Sequence, residues 1–152
     1  MGWTFLRDNL YLDVIPLFVG DDDVLRGPAG NGVVSAVSYD DIAACAAEVL
    51  SAPDTHVRST YDLTGPEALS LSAAAEALTA ALGRQISYHD ESIEEAYESR
   101  RQWPAPDWQY DAWVSTYTAI KAGEVAAVTD DIRRVTGQAP IGLRELLAAQ
   151  GG

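Results

Sequence analysis

The sequence predicts an α/β fold with a partly parallel sheet, and three observations carry that prediction. Short runs rich in aromatic and β-branched residues alternate with helix-like runs along the 152 residues. The helix-like runs carry apolar stripes at i, i+3, i+4 and i+7 spacing. Gly, Pro, Asp and Asn collect between the runs, where turns need them. A parallel sheet needs both faces covered and usually has more strands than this chain offers, so the sheet is expected to be incomplete.

Residues 3–7 read as the first strand, and residues 9–18 as a short helix cut by Pro16. Residues 20–32 are dense in Gly, Pro and Asp and are expected to hold no regular element. Residues 33–37 form the second strand. Ser38 then caps a helix whose positive end is matched by Asp40 and Asp41. Its inward stripe is Ile42, Ala46, Val49 and Leu50, and it ends before Pro53. Residues 59–63 are the third strand, closed by Thr64-Gly65-Pro66. Ser70 or Ser72 caps the next helix, where Leu71, Ala74, Ala75, Leu78 and Leu82 make one face and Gly83 stops the run. Residues 85–89 are a fourth strand. Residues 91–102 are a charged helix with Ile93, Ala96 and Tyr97 inward. Pro104 and Pro106 exclude helix over residues 103–108. Helix resumes over residues 111–121, with Trp113, Val114, Tyr117 and Ile120 on one face. Two short helices close the chain, split at Gly137-Gln138-Ala139-Pro140, the second carrying Leu143, Leu146 and Leu147. The whole reads as a single domain, residues 1–152.

Ten Lys and Arg against 23 Asp and Glu leave a formal charge of −13. Such a surface repels phosphate backbones, so direct nucleic-acid binding is not expected. No apolar run approaches the roughly 18–20 residues of a membrane-spanning helix. The first seven residues lack the basic-then-apolar pattern of a secretory signal, and the chain reads as cytoplasmic. The single cysteine, Cys45, sits in an alanine-rich stretch that favours packing over reactivity. No Cys/His cluster suggests a metal. The acidic run Asp21-Asp22-Asp23 lacks the other ligands of a calcium loop. His56 and His89 each stand without a local nucleophile or carboxylate partner.

Several strings, taken in order, resemble one family. They are Trp3-Thr4-Phe5-Leu6-Arg7-Asp8-Asn9-Leu10-Tyr11; Ser38-Tyr39-Asp40-Asp41-Ile42-Ala43; and Thr60-Tyr61-Asp62-Leu63-Thr64-Gly65-Pro66-Glu67-Ala68-Leu69-Ser70. Lys121-Ala122-Gly123-Glu124, Thr129-Asp130-Asp131 and Thr136-Gly137-Gln138-Ala139-Pro140 complete the set. Together they resemble the NmrA-like group of atypical short-chain dehydrogenase/reductases, which includes NAD(P)H:quinone oxidoreductases and redox-sensing regulators. The resemblance covers nearly the whole chain. It implies an incomplete Rossmann-type fold: the C-terminal strands of a partly parallel sheet plus a mainly helical substrate-side region. The family opens with a strand, a Gly-rich turn and a helix that hold the pyrophosphate. No such turn is present, because Gly27, Gly30 and Gly32 have the wrong spacing and no helix opens at Gly32. The N-terminal dinucleotide-binding half is therefore expected to be missing. The chain is expected to be a fragment, the product of a misplaced gene start, or one partner of a split protein. Its first strand is then expected to present an open edge.

The resemblance implies NAD(P) as cofactor and a small quinone or carbonyl compound as substrate. It places the turn carrying Arg7, Asn9 and Tyr11 near the nicotinamide. On the residues alone, Arg7 and Asp8 equally fit a surface pair, with Asn9 as a helix cap. Trp108, Trp113 and Tyr117, with Trp103, suit an apolar substrate pocket. Trp113 and Tyr117, four apart, equally fit plain helix packing. Tyr117 and Lys121 have a Tyr-x-x-x-Lys spacing but fall in the tail helix, and no catalytic residue is assigned. The implied activity is NAD(P)H-dependent reduction. A non-catalytic NAD(P)-sensing regulator acting through a protein partner, or an inactive truncated fragment, are the alternatives.

Overall fold

A computed structural model describes residues 2–150; Met1, Gly151 and Gly152, which the single-domain reading includes, lie outside the described residues. Six strands and six α-helices follow in chain order, with strands and helices mixed throughout as the alternation predicts. The strands form three two-stranded sheets, two of them parallel.

The first layer holds β1 (Thr4–Asp8) beside β4 (Ser59–Leu63), parallel, with Leu6 opposite Tyr61. Among the described residues each of these strands pairs only with the other, so the expected open edge is present. Trp3 and Phe5 stack there with ring centroids 4.7 Å apart, and Phe5 is 57% exposed. Helix α1 (Tyr39–Ser51) packs against β1 and against α5 (Asp131–Thr136). Ser38 caps α1 as expected, its hydroxyl accepting from the Asp41 amide at 3.1 Å. The face of α1 is rotated from the predicted one: Cys45 and Val49 are buried, while Leu50 is 79% exposed. Val37, Cys45, Val49, Tyr61, Leu63 and Ile132 make a small core here.

The second layer holds β2 (Val24–Gly27) beside β6 (Ser87–Asp90), again parallel. β2 lies inside the stretch expected to be irregular, and that expectation is corrected. Its backbone groups are satisfied by a partner some sixty residues away, which local composition does not reveal. Helix α2 (Leu71–Leu82) packs on β6 and on α6 (Leu143–Gln150). Ser70, rather than Ser72, caps α2, and Gly83 ends it at φ 67°. Leu82, expected inward, is exposed. β3 (Val33–Val34) and β5 (Leu69–Ser70) form a two-residue antiparallel pair, so the strand expected over residues 33–37 is shortened. Residues 12–18 form a 3-10 helix that contains Pro16, where a short helix was expected.

Helix α3 (Ile93–Arg100) opens with a capping box between Ser92 and Glu95. It buries Ala96 and Arg100 and exposes Ile93, a correction to the expected face. Helix α4 (Asp107–Ala122) begins four residues before the predicted start. Pro106 sits at the cap, where a missing N–H costs nothing, so the prolines bar helix only up to that point. Trp108 therefore lies in the first turn of α4.

The two layers are tied at Ser35, which is fully buried. Its hydroxyl donates to the Ala127 carbonyl at 2.6 Å and accepts from Asn9 Nδ2 at 2.9 Å. Its amide donates to Val125 at 3.0 Å, and its carbonyl accepts from Gly65 at 3.2 Å. Among the described residues no helix is long and apolar enough to cross a membrane.

Candidate functional site

A cavity of about 540 Å³ opens between the 3-10 helix, β2, α3 and α4. Leu17, Phe18, Val24, Trp113 and Tyr117 form its apolar walls, and Trp103 also lines it. Its size and apolar lining with a few polar groups suit a small flat organic ligand.

The walls are assembled from residues far apart in sequence. Gly27 ends β2 and lets the Tyr117 ring lie directly against the backbone. A Cβ at Gly27 would fall 2.1 Å from Tyr117 Cδ1. The Phe18 ring sits 6.3 Å from that of Tyr117, tilted by 55°. Arg100 holds its guanidinium 5.0 Å from the Tyr117 ring centroid, a cation–π contact. Arg100 Nη1 donates to Glu91 Oε2 at 2.8 Å, to the Ala96 carbonyl at 2.8 Å and to Ser99 Oγ at 3.0 Å. Both members of the Glu91–Arg100 pair are buried. Burial pushes the Tyr117 phenol above its ordinary range, and the Arg100 charge only partly opposes this. The phenol therefore stays protonated at neutral pH. On the outer side, Tyr97 donates to Asp111 Oδ1 at 2.7 Å and so joins α3 to α4. Tyr110 reaches back to the Trp103 carbonyl at 2.9 Å and stands edge-on to Trp113.

Of the predicted pocket residues, Trp113 and Tyr117 line the cavity. Trp108 is not among the lining residues and is 68% exposed. Glu91, Arg100, Arg26 and Phe18 were not singled out by the sequence. The one signal available was the i, i+4 spacing of Ala96 and Arg100, which marks the inward face of α3.

The polar side chains at the end of β1 and in the turn after it pair with other groups of the protein. Arg7 Nε donates to Asp62 Oδ1 at 2.6 Å across the β1–β4 pair, rather than pairing with Asp8. Tyr11 donates to Asp8, which raises the Tyr11 pKa, and its ring lies 4.9 Å from that of Tyr39. Asn9 Nδ2 donates to Ser35 Oγ and, at 3.0 Å, to the Val125 carbonyl, while its carbonyl accepts from Leu10 at 2.7 Å. Arg7, Asn9 and Tyr11 do not line the cavity.

Three of the described glycines are packed against the protein itself. A Cβ at Gly32 would meet the Ile120 carbonyl oxygen at 2.3 Å, and one at Gly65 the Ala36 oxygen at 2.1 Å. With Gly27 packed on Tyr117, these glycines serve chain-to-chain contact rather than approach to a ligand. Cys45 is fully buried and its thiol is pushed up to about 11 by burial, so it is not a nucleophile. His56 Nδ1 lies 2.8 Å from the Tyr61 hydroxyl in the other core. Among the described residues no group of His, Cys, Asp and Glu could hold a metal ion.

No family model matches the chain. It is 31% identical over 141 residues to the NAD(P)H azoreductase of Xenophilus azovorans, a match covering 91% of this chain and 49% of that protein. The NADPH-dependent quinone oxidoreductase of Escherichia coli, solved with NADPH, shares the fold at TM-score 0.88 and 24% identity. That match covers 100% of this chain and 54% of the other. The negative transcriptional regulator NmrA, solved with NAD, shares it at TM-score 0.65 and 15% identity, covering 99% and 54%. The chain thus spans about half the length of the curated relatives it matches.

Proposed function

We propose that the chain belongs to the NmrA-like NAD(P)-binding family and forms the substrate-side part of an NAD(P)H-dependent oxidoreductase, a reading supported by the azoreductase relative and the shared fold. The acceptor in this reading is a small flat aromatic compound, a quinone or related carbonyl compound, reduced in the cytoplasm. The observation that carries it is the aromatic-walled cavity beneath Phe18, Trp113 and Tyr117. The azoreductase relative supports it, since an azo dye is also a flat aromatic acceptor. The dinucleotide phosphates are held, in this reading, by a Gly-rich half that the 152 residues do not supply. The close-packed glycines at 27, 32 and 65 support that division.

What these residues do is bind and orient. Tyr117 and Trp113 supply broad apolar faces. Gly27 and the Glu91–Arg100 pair fix where the Tyr117 face lies. The test joins this chain to the N-terminal half of the azoreductase relative and follows NADPH oxidation with a quinone or azo acceptor. Acceptor-dependent oxidation that falls at least about tenfold with Trp113→Ala supports the reading. Tight dinucleotide binding without turnover would favour a sensor instead. Titration of the chain alone with NADPH is expected to give no saturable binding. A micromolar dissociation constant would overturn the division of labour.

A further inference from the structure

We infer that Arg100 is the point at which the cavity recognises an oxyanion carried by its aromatic ligand, a carboxylate, sulfonate or phenolate. The inference rests on the reading of the cavity as a substrate site. Three observations converge on it.

The first is the division of the Arg100 donors. Nη1 is committed to Glu91, Ala96 and Ser99. Beyond Nη1, the guanidinium shares a hydrogen-bonding contact with the Tyr117 hydroxyl, and neither Nε nor Nη2 is a sealed, unsatisfied atom. Arg100 is 7% exposed and lines the cavity, so the cavity is what these donors open onto. A guanidinium presents its remaining N–H groups in a fixed plane suited to two oxygens of one anion.

The second is charge. The chain carries 23 acidic residues against ten basic ones, yet the cavity lining includes two arginines and no Asp or Glu. An anion entering elsewhere on this surface meets repulsion, and one entering here meets donors. Of the two arginines, Arg26 is already gripped by both carboxylate oxygens of Asp22, at 2.9 and 2.6 Å. Arg100 meets only one oxygen of its carboxylate partner, through Nη1 alone.

The third is placement. The guanidinium stands over the Tyr117 ring, 5.0 Å from its centroid. A flat ligand in the cavity, beside Trp113 and Tyr117, has Arg100 in the same lining to meet an oxyanion on its rim. Glu91, the Ala96 carbonyl and the Ser99 hydroxyl hold the side chain before any ligand arrives, so little ordering is needed on binding.

The experiment titrates the full chain with anthraquinone-2-sulfonate and with its neutral 2-hydroxymethyl analogue, following tryptophan fluorescence and calorimetric heat. Wild type is expected to bind the sulfonate at least about tenfold more tightly. The double variant Glu91→Gln/Arg100→Met removes the pair without stranding a buried charge, and it is expected to reduce the sulfonate's advantage over the neutral analogue to less than about twofold, a ratio read within the one variant so that any shift of the Tyr117 wall cancels. Arg26→Gln is expected to leave the preference in place. Equal binding of the two ligands by wild type overturns the inference but leaves the cavity as an aromatic site. A preference that survives in the double variant also overturns it. If neither ligand binds, the substrate-site reading itself fails. The wild-type comparison decides the matter even if the double variant does not fold.

Discussion

The β1–β4 layer and the β2–β6 layer are built alike, each a parallel strand pair with helices packed on it, yet they reach order by different routes. The first is assembled from segments that declare themselves locally. The Ser38 cap is read directly from residues 38–41, and β4 from residues 59–63. Its core is six apolar residues. The second layer depends on residues that mean little until the chain closes. Gly27 is a turn residue in the sequence and a packing surface in the fold. Glu91 and Arg100 are two of 33 charged residues in the sequence and a buried pair in the fold. The cavity belongs to this second layer, so the geometry of the proposed site lies where local signals are weakest.

The sharpest way to break that comparison is to strand one member of the buried pair. Arg100→Met alone leaves Glu91 buried without a partner and is expected to cost about 3–5 kcal/mol in urea unfolding. Adding Glu91→Gln should recover most of it. A double variant as unstable as the single one would mean that the pair does not organise this layer. Next in size, Gly27→Ala drives a methyl into the Tyr117 ring and is expected to cost about 1–3 kcal/mol. It should also weaken quinone binding, because the displaced ring is a cavity wall. A thermal melt and a ligand titration on the same variant check both halves.

Alkaline pH distinguishes the layers more gently. Burial raises the Cys45 thiol from its ordinary 9.0 to about 11. The unfolded chain therefore loses this proton first. The contribution is whole below about pH 9 and is lost as pH climbs towards about 11, a fall of about 1 kcal/mol between pH 8 and 10. Cys45→Ala should flatten that slope. Tyr88, in the second layer, is raised mainly by burial from 10.0 to about 12, so its loss comes at higher pH. The smallest expected effect is at the open edge. Phe5→Lys should change stability by less than about 0.5 kcal/mol while reducing concentration-dependent association in sedimentation velocity.

Much of the architecture was legible because helix starts and apolar stripes are local. Ser70, Gly83 and the stripe from Leu71 to Leu78 locate α2 without reference to anything else. β2 was invisible for the opposite reason. Residues 24–27 become a strand only by pairing with residues 87–90, inside a stretch whose Gly, Pro and Asp content argues for turns. The start of α4 was missed because two prolines were read as a barrier when the second is a cap. Within the site, the periodicity that placed Trp113 and Tyr117 on one helix face was enough to find a wall. Arg100 was not found, since a charged residue on a helix is ordinarily solvated and only Glu91, nine residues earlier and ahead of the helix, pairs with it inside.

The buried hydroxyl of Ser35 has a consequence for how the molecule comes apart. The side chain holds residues 9, 125 and 127 and the backbone of the same residue holds 65, so neither layer can loosen at that seam without releasing the other. Heating should therefore melt both in a single calorimetric peak. The amide of residue 35 should rank among the slowest to exchange its hydrogen for deuterium.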